Sequence, residues 1–313
     1  MVNNNSKPSI SIVSPVYKAE KIVNELVKRL TEEVSKITDS YEILLIEDGS
    51  PDESWEKIEQ NCAKDKHVKG IKLSRNFGQH YAISAGMEAA NGEAIIIMDC
   101  DLQDDPKHIH LLYKKFKDEK FDVVFTKRKN RKHSFFKSIT SRIYNLLFYF
   151  FSDKSFDVNV GTMVLFSERV QSEFNRLKDK DRLYIQLIKW VGFKSTFIIV
   201  DHNERFEGSS SYTLPKLVFL ALQGWTSHSD KLLRLSIYTG FFLSFCTFFT
   251  GIVIGFMYFF KGFQPGWPSL FLALLFSTGL ILMSIGIVGI YIGKIFEQVK
   301  ERPLFIVDKK LNF

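Results

Sequence analysis

The chemistry-bearing stretch of the chain is Asp99-Cys100-Asp101-Leu102-Gln103-Asp104-Asp105-Pro106, which follows the apolar run Ile95-Ile96-Ile97-Met98. Two carboxylates two residues apart, with an amide oxygen at Gln103, form a hard-oxygen set suited to Mg²⁺ or Mn²⁺. Such a cation commonly neutralises a diphosphate while a bond to it breaks. Strand side chains alternate, which predicts Asp99 and Asp101 on one side and Cys100 on the other. The plainer reading is an acidic turn in which Asp104 or Asp105 caps a helix starting near Pro106. Capping takes one acid and the stretch has four, so both readings stand.

The elements that must position these residues alternate strand and helix. Ile10 to Val16 reads as a strand ending at Pro15-Val16-Tyr17, and Ile22, Leu26, Val27, Leu30 and Val34 form the apolar stripe of a helix. Tyr41 to Ile46 is a second buried strand, ending in Glu47-Asp48-Gly49-Ser50, with a helix through Trp55, Ile58 and Cys62 after it. Val68 to Leu73, closed by Arg75-Asn76-Phe77-Gly78, and a helix from about Tyr81 to Ala90 lead into the acidic strand. Such repetition predicts a doubly wound α/β domain, whose ligands bind beyond the carboxyl ends of the strands. Tyr17, Asp48, Arg75, Asp99 and Asp101 all fall there. Further on, Phe121 to Thr126 is a strand, Val164 to Phe166 an edge strand, Asp181 to Val191 a helix, and Thr196 to Val200 the last strand of the domain.

The charge of +7 and pI of about 9.1 favour anionic partners. Three scattered cysteines give no disulfide framework or zinc spacing, which suits a reducing compartment. The apolar run Ile10 to Val16 is too short and β-branched for a signal peptide, so the N-terminal part is expected in the cytoplasm. The basic run Lys127 to His133 adjoins a greasy segment from Phe135 to Phe151, read as an interfacial helix near 134–152. A basic run beside such a segment does not read as a nucleic-acid module. Leu235 to Phe260 and Gly262 to Gly293 carry no charge, and each exceeds the roughly 20 residues that cross a bilayer. Lys231 and Arg234 before the spans, with Lys294, Lys300 and Arg302 after them, put both ends on the cytoplasmic side.

Pro15-Val16-Tyr17, Glu47-Asp48-Gly49-Ser50, Arg75-Asn76-Phe77-Gly78, Ala85-Gly86 and Met98-Asp99-Cys100-Asp101-Leu102-Gln103-Asp104 resemble glycosyltransferase family 2. The polyprenyl-phosphate branch, with dolichol-phosphate mannose synthase and the undecaprenyl-phosphate glycosyltransferases, is the more similar part of that family. The likeness continues through Thr140-Ser141-Arg142, Trp190-Val191-Gly192-Phe193, the loop Arg205 to Tyr212 and the paired spans. It implies a GT-A-type doubly wound domain over 1–212 and a juxtamembrane amphipathic helix over 213–231. A two-helix transmembrane hairpin (about 235–260 and 268–293) and a cytoplasmic tail over 295–313 complete the expected architecture.

The activity implied is inverting, metal-dependent transfer of one hexosyl or related sugar from a nucleotide-sugar donor to a polyprenyl phosphate. It takes place at the cytoplasmic face of the inner membrane and feeds cell-envelope glycan or lipid modification. By resemblance, Pro15, Tyr17, Asp48 and Asp99 bind the nucleotide sugar, while Asp99, Asp101 and Gln103 hold Mg²⁺ or Mn²⁺. Arg128, Arg142, Arg205 and Ser210 are candidates for phosphate and acceptor, and Asp101, Arg205 and Asp157 for catalysis. The family's acidic residue in Gly-Asp-Phe-Arg is here Thr162, in Gly161-Thr162-Met163-Val164, and Asp157 is the spare carboxylate nearby. A phosphate acceptor is already substantially ionised near neutral pH and needs no base; the threonine could equally mark a different sugar. Other lipid or glycan acceptors, a nucleotide-sugar-binding scaffold without activity, and a homo-oligomer stay open. Gln186-Leu187-Ile188-Lys189-Trp190 has the spacing of a processive-synthase string but reads as helix periodicity, since this chain has two spans.

Overall fold

The computed structural model describes residues 7–128, 160–200, 231–261 and 266–313. The chain divides into two units, one of residues 1–134, 157–210 and 302–313, the other of residues 135–156 and 211–301. The interfacial helix near 134–152 and nearly all of the helix expected over 213–231 lie outside the described residues.

In the first unit, β1 (Ile10–Val16), β2 (Tyr41–Glu47), β3 (Val68–Leu73) and β4 (Ala94–Ile97) alternate with α1 (Val23–Val34), α2 (Ser54–Lys64) and α3 (Gln79–Ala89). α4 (His108–Glu119), β5 (Val123–Arg128), β6 (Val160–Ser167), α5 (Glu168–Arg176), α6 (Tyr184–Val191) and β7 (Ser195–Val200) follow. The strands form one sheet in the order β7-β5-β6-β4-β1-β2-β3-β8, where β8 is Val307–Leu311. β1 and β2 are buried at every position, so apolar side chains stabilise both faces. Gly86 lets α3 lie flat on the sheet: a Cβ there would come within 2.3 Å of Val13 Cγ1 and 2.7 Å of Ile46 Cδ1.

Two expectations about strands are corrected. The Val164 to Phe166 segment belongs to β6, which lies inside the sheet and runs antiparallel to both β4 and β5. β7 is not the last strand, because the expected tail supplies β8, antiparallel to β3 at the other edge. Asn312 fastens that edge by donating its side-chain amide to the carbonyls of Cys62 (2.7 Å) and Val68 (2.8 Å). A hydrogen-bond ladder to β8 also covers the row of backbone groups that β3 would expose.

In the second unit, α7 (Lys231–Lys261) and α8 (Trp267–Val299) are 31 and 33 residues long. At 1.5 Å per residue they reach about 46 and 50 Å, more than a hydrocarbon core of about 30 Å. Their most apolar windows, Leu233–Thr250 and Phe276–Val299, have no buried share, and Phe241 stands 73% exposed. Core helices of a water-soluble domain would bury such side chains. Length, composition and exposure together make both helices candidate membrane spans.

Candidate active site

A cavity of about 360 Å³ opens at the carboxyl ends of the parallel strands. Pro15, Tyr17, Asp48, Asp99 and Asp101, expected there from the sequence, all line it. Asn76, Gly78, Gln79 and Cys100 line it as well. Cys100 corrects the alternation argument: β4 ends at Ile97, so the acidic residues stand in a turn rather than on a strand. Tyr17 donates its backbone N–H to the Cys100 sulfur, and burial pushes that thiol up to about 12.

Asp48 is 3% exposed and ties two loops together. Its carboxylate accepts the backbone N–H of Phe77 at 2.8 Å and of Gly78 at 2.9 Å. Burial raises its pKa, and these two bonds and Arg75 oppose the shift. The neighbouring Gly49 has φ +62, and a Cβ there would sit 2.2 Å from the backbone nitrogen of Asn76. Only glycine allows the β2 turn to lie this close to the β3 loop. On the other flank, Ser50 Oγ accepts the N–H of Lys18, whose φ of 52 puts it in the left-handed region, and Ser54 Oγ accepts that of Ala19. Three loops are thereby locked around one opening.

In the acidic turn, Gln79 donates its side-chain amide to Asp99 Oδ1 at 2.6 Å. Asp101 Oδ1 accepts the backbone N–H of Gln103 at 3.2 Å. The cavity lining includes Asp99, Cys100 and Asp101 and does not extend to Gln103. Between Asp101 and Gln103, Leu102 has a left-handed backbone (φ 56) and is buried in the core at 4% exposure. Asp105 takes the N–H of Lys107 ahead of α4, the cap-like bond the sequence suggested. Asp104 instead turns inward, 2% exposed, and its Oδ2 accepts the Thr162 hydroxyl at 2.9 Å. Gln79 is the residue that sequence reasoning left without a role here, and Asp104, offered as a helix cap, bonds Thr162 instead. The available signal for Gln79 was its place directly after the loop that closes β3.

Asp99 carries the electrostatic load of the turn. Burial, then Asp101 and Asp104, raise its pKa from 3.8 to about 6, against the bonds from Thr162 and Gln79. A cation beside it would favour the ionised form. Among the described residues no three His, Cys, Asp or Glu side chains are grouped to hold a metal ion. Asp99 and Asp101 thus offer two carboxylates at an open cavity and leave other positions to water and phosphate oxygens, as Mg²⁺ prefers. The donor set fits a divalent cation.

Arg142, Arg205, Ser210 and Asp157 lie outside the described residues, and Arg128 ends β5. The string Gln186 to Trp190 falls within α6, where Leu187 and Ile188 are buried and Trp190 is 74% exposed. Its spacing is that of a helix with one inward face.

The glycosyl transferase family 2 profile matches residues 11–173. The chain is similar to the uncharacterized glycosyltransferase YkcC of Bacillus subtilis (strain 168), 38% identical over 301 residues, 96% of this chain and 93% of that protein. It is also similar to the undecaprenyl-phosphate 4-deoxy-4-formamido-L-arabinose transferase of Yersinia pestis (strain Pestoides F). That likeness is 32% identity over 307 residues, 96% of this chain and 93% of that protein. Among solved structures, glucosyl-3-phosphoglycerate synthase from Mycobacterium tuberculosis in complex with Mn²⁺, uridine diphosphate and phosphoglyceric acid matches with a TM-score of 0.51 at 14% identity. The match spans 70% of this chain and 77% of that one. At that identity the likeness concerns the fold, and the GT-A-type α/β expectation is met.

Proposed function

The chain belongs to glycosyltransferase family 2, and from this premise we propose that it transfers one sugar, with inversion, from a nucleotide-sugar donor to a polyprenyl phosphate. The observation that carries the reading is the convergence of Asp99 and Asp101 with Pro15, Tyr17 and Asp48 on a single cavity. The lipid acceptor draws support from the undecaprenyl-phosphate transferase among the relatives and from the two long, largely apolar helices.

In this reading Pro15, Tyr17 and Asp48 bound the space for base and ribose. Asp48 acts there chiefly by fixing the 77–78 backbone. Asp99 and Asp101 hold Mg²⁺ or Mn²⁺, and Gln103 steadies Asp101 through its backbone N–H. Once bound, the cation neutralises the charge that grows on the diphosphate leaving group. Asp101 is thereby the residue on which the chemistry chiefly depends. Arg128, Arg142 and Arg205 are assigned to phosphate oxygens of donor and acceptor, because guanidinium pairs with them bidentately, and Ser210 to the same oxygens through its single hydroxyl donor. Asp157 is the nearby carboxylate available as a base. The side chain at 162 is a hydroxyl bonded to Asp104, so it offers no general base. An acceptor phosphate, partly dianionic at neutral pH, supplies its own nucleophile.

The chain leaves the catalytic unit for two candidate spans and returns to it as β8. One folded sheet lies on one side of a membrane, so the number of crossings is even. Together with the positive-inside tendency, that connectivity supports a catalytic unit on the cytoplasmic face.

The test is a transfer assay with purified protein in detergent or lipid, undecaprenyl phosphate, Mn²⁺ or Mg²⁺, and a panel of UDP-, GDP- and dTDP-sugars. Nucleoside diphosphate release that requires both lipid phosphate and metal is the expected result. Metal-dependent release in the absence of lipid phosphate would overturn the acceptor, and nucleotide binding with no transfer across the panel would favour a scaffold.

A further inference from the structure

Thr162 reaches the acidic turn from a distant part of the chain. It lies in β6, which enters the sheet between β4 and β5. The strand is pinned at this point by three contacts. Tyr184 donates its hydroxyl to the Thr162 carbonyl at 2.6 Å, and Thr126 donates its own to the carbonyl of Met163 at 2.7 Å. Thr126 Oγ1 also fills the space where a Cβ on Gly161 would stand, at 2.4 Å. β6 therefore cannot slide here without breaking these two hydrogen bonds, one of them fully buried.

From this fixed backbone the Thr162 hydroxyl donates to Asp104 Oδ2 at 2.9 Å and also lies within hydrogen-bond reach of Asp99. Neither Thr162 nor Asp104 lines the cavity, whereas Asp99 does. One neutral oxygen thus stands between two carboxylates that belong to the same turn. Asp99 itself takes the Gln79 amide at 2.6 Å, and the Thr162 hydroxyl beside it lowers its pKa against burial. A hydroxyl carries one proton, so it bonds one carboxylate as donor and spaces the other by its bulk and dipole.

We propose that Thr162 is a positioning residue for the cation site: its hydroxyl, anchored through Tyr184, separates Asp99 from Asp104 and fixes the angle at which Asp99 meets the metal. The inference rests on the metal reading of Asp99 and Asp101. It concerns orientation and adds no step to the transfer. Its signature is a change in metal affinity with the transfer rate at saturating metal largely retained, since Thr162 touches neither the cavity nor the reacting atoms.

Mn²⁺ binding to the full chain in detergent, without donor or acceptor, is measured by the electron paramagnetic resonance signal of the free ion. Thr162→Val, which keeps the shape and removes the hydroxyl, is expected to weaken Mn²⁺ binding about tenfold, the worth of one hydrogen bond to a charged group. Thr162→Ser is expected to restore wild-type affinity within about twofold, and Tyr184→Phe to weaken it about threefold. Unchanged binding in Thr162→Val overturns the inference, and so does equal loss in the valine and serine variants. Should Thr162→Val fail to fold, the Tyr184→Phe result decides in the same way. Asp101→Asn separates the two levels: wild-type Mn²⁺ affinity in that variant overturns the metal reading itself.

Discussion

The Gln79 side-chain amide lies 2.6 Å from Asp99 Oδ1, joining the first turn of α3 to the acidic turn after β4. It is a charge-assisted bond to a carboxylate that burial and two acidic neighbours disfavour. Gln79→Ala should therefore lower kcat/KM about tenfold, the effect of one hydrogen bond to a charged group. A loss confined to thermal stability, with kcat/KM intact, would mean the amide only packs the loop.

Asp101→Asn should abolish metal-dependent transfer while leaving the fold intact, because Asp101 is partly exposed at the cavity and its removal unpacks no core. Full activity in a well-folded variant would refute the metal assignment. The companion Asp99→Asn should also lose transfer, yet in chelator it should be more stable than the wild type by about 1–3 kcal/mol, given a carboxyl pushed up to about 6. The sign follows from the site's crowding: an amide ends the repulsion with Asp101 and Asp104. A melting temperature below the wild type's would contradict this.

Glu47 and Asp48 are buried at 1% and 3% exposure, and burial raises the pKa of each above the ordinary carboxylate range. A raised folded-state pKa means that the native state keeps the proton longer than the unfolded chain does. The contribution of these two groups is thus fully present below the ordinary carboxylate pKa and is lost as pH rises through the raised values. Chemical denaturation of metal-free protein across this acid range should show that slope, and Glu47→Gln should flatten it. An unchanged slope would remove Glu47 from the account.

Deleting residues 303–313 should destabilise the catalytic unit by several kcal/mol and promote aggregation. The deletion removes the ladder to β3 and the Asn312 bonds, and it bares the β3 edge. Asn312→Ala should show a milder form of the same defect. Size-exclusion profiles and melting temperatures decide it, and a monodisperse truncated protein with wild-type stability would show β8 to be dispensable.

Much of this protein was legible in local sequence. The β-α alternation, the buried strands, the two uncharged runs and the acidic turn all follow from periodicities of two and 3.6 residues and from turn chemistry. Pro15, Tyr17, Asp48, Asp99 and Asp101 could be brought to one end of the sheet because parallel strands joined by right-handed crossovers align their carboxyl ends. Tertiary structure alone decided the rest. Nothing local told β6 to enter antiparallel beside β4, or told residues 307–311 to return to β3, because strand pairing between distant segments leaves no period in the sequence. The meeting of Thr162 with Asp104, 58 positions apart, depends on that insertion. The left-handed backbone of Leu102, buried in the core within the acidic turn, likewise has no local signal in the sequence. Sequence determines which groups a turn can offer; long-range packing determines which of them face the opening and what holds them there.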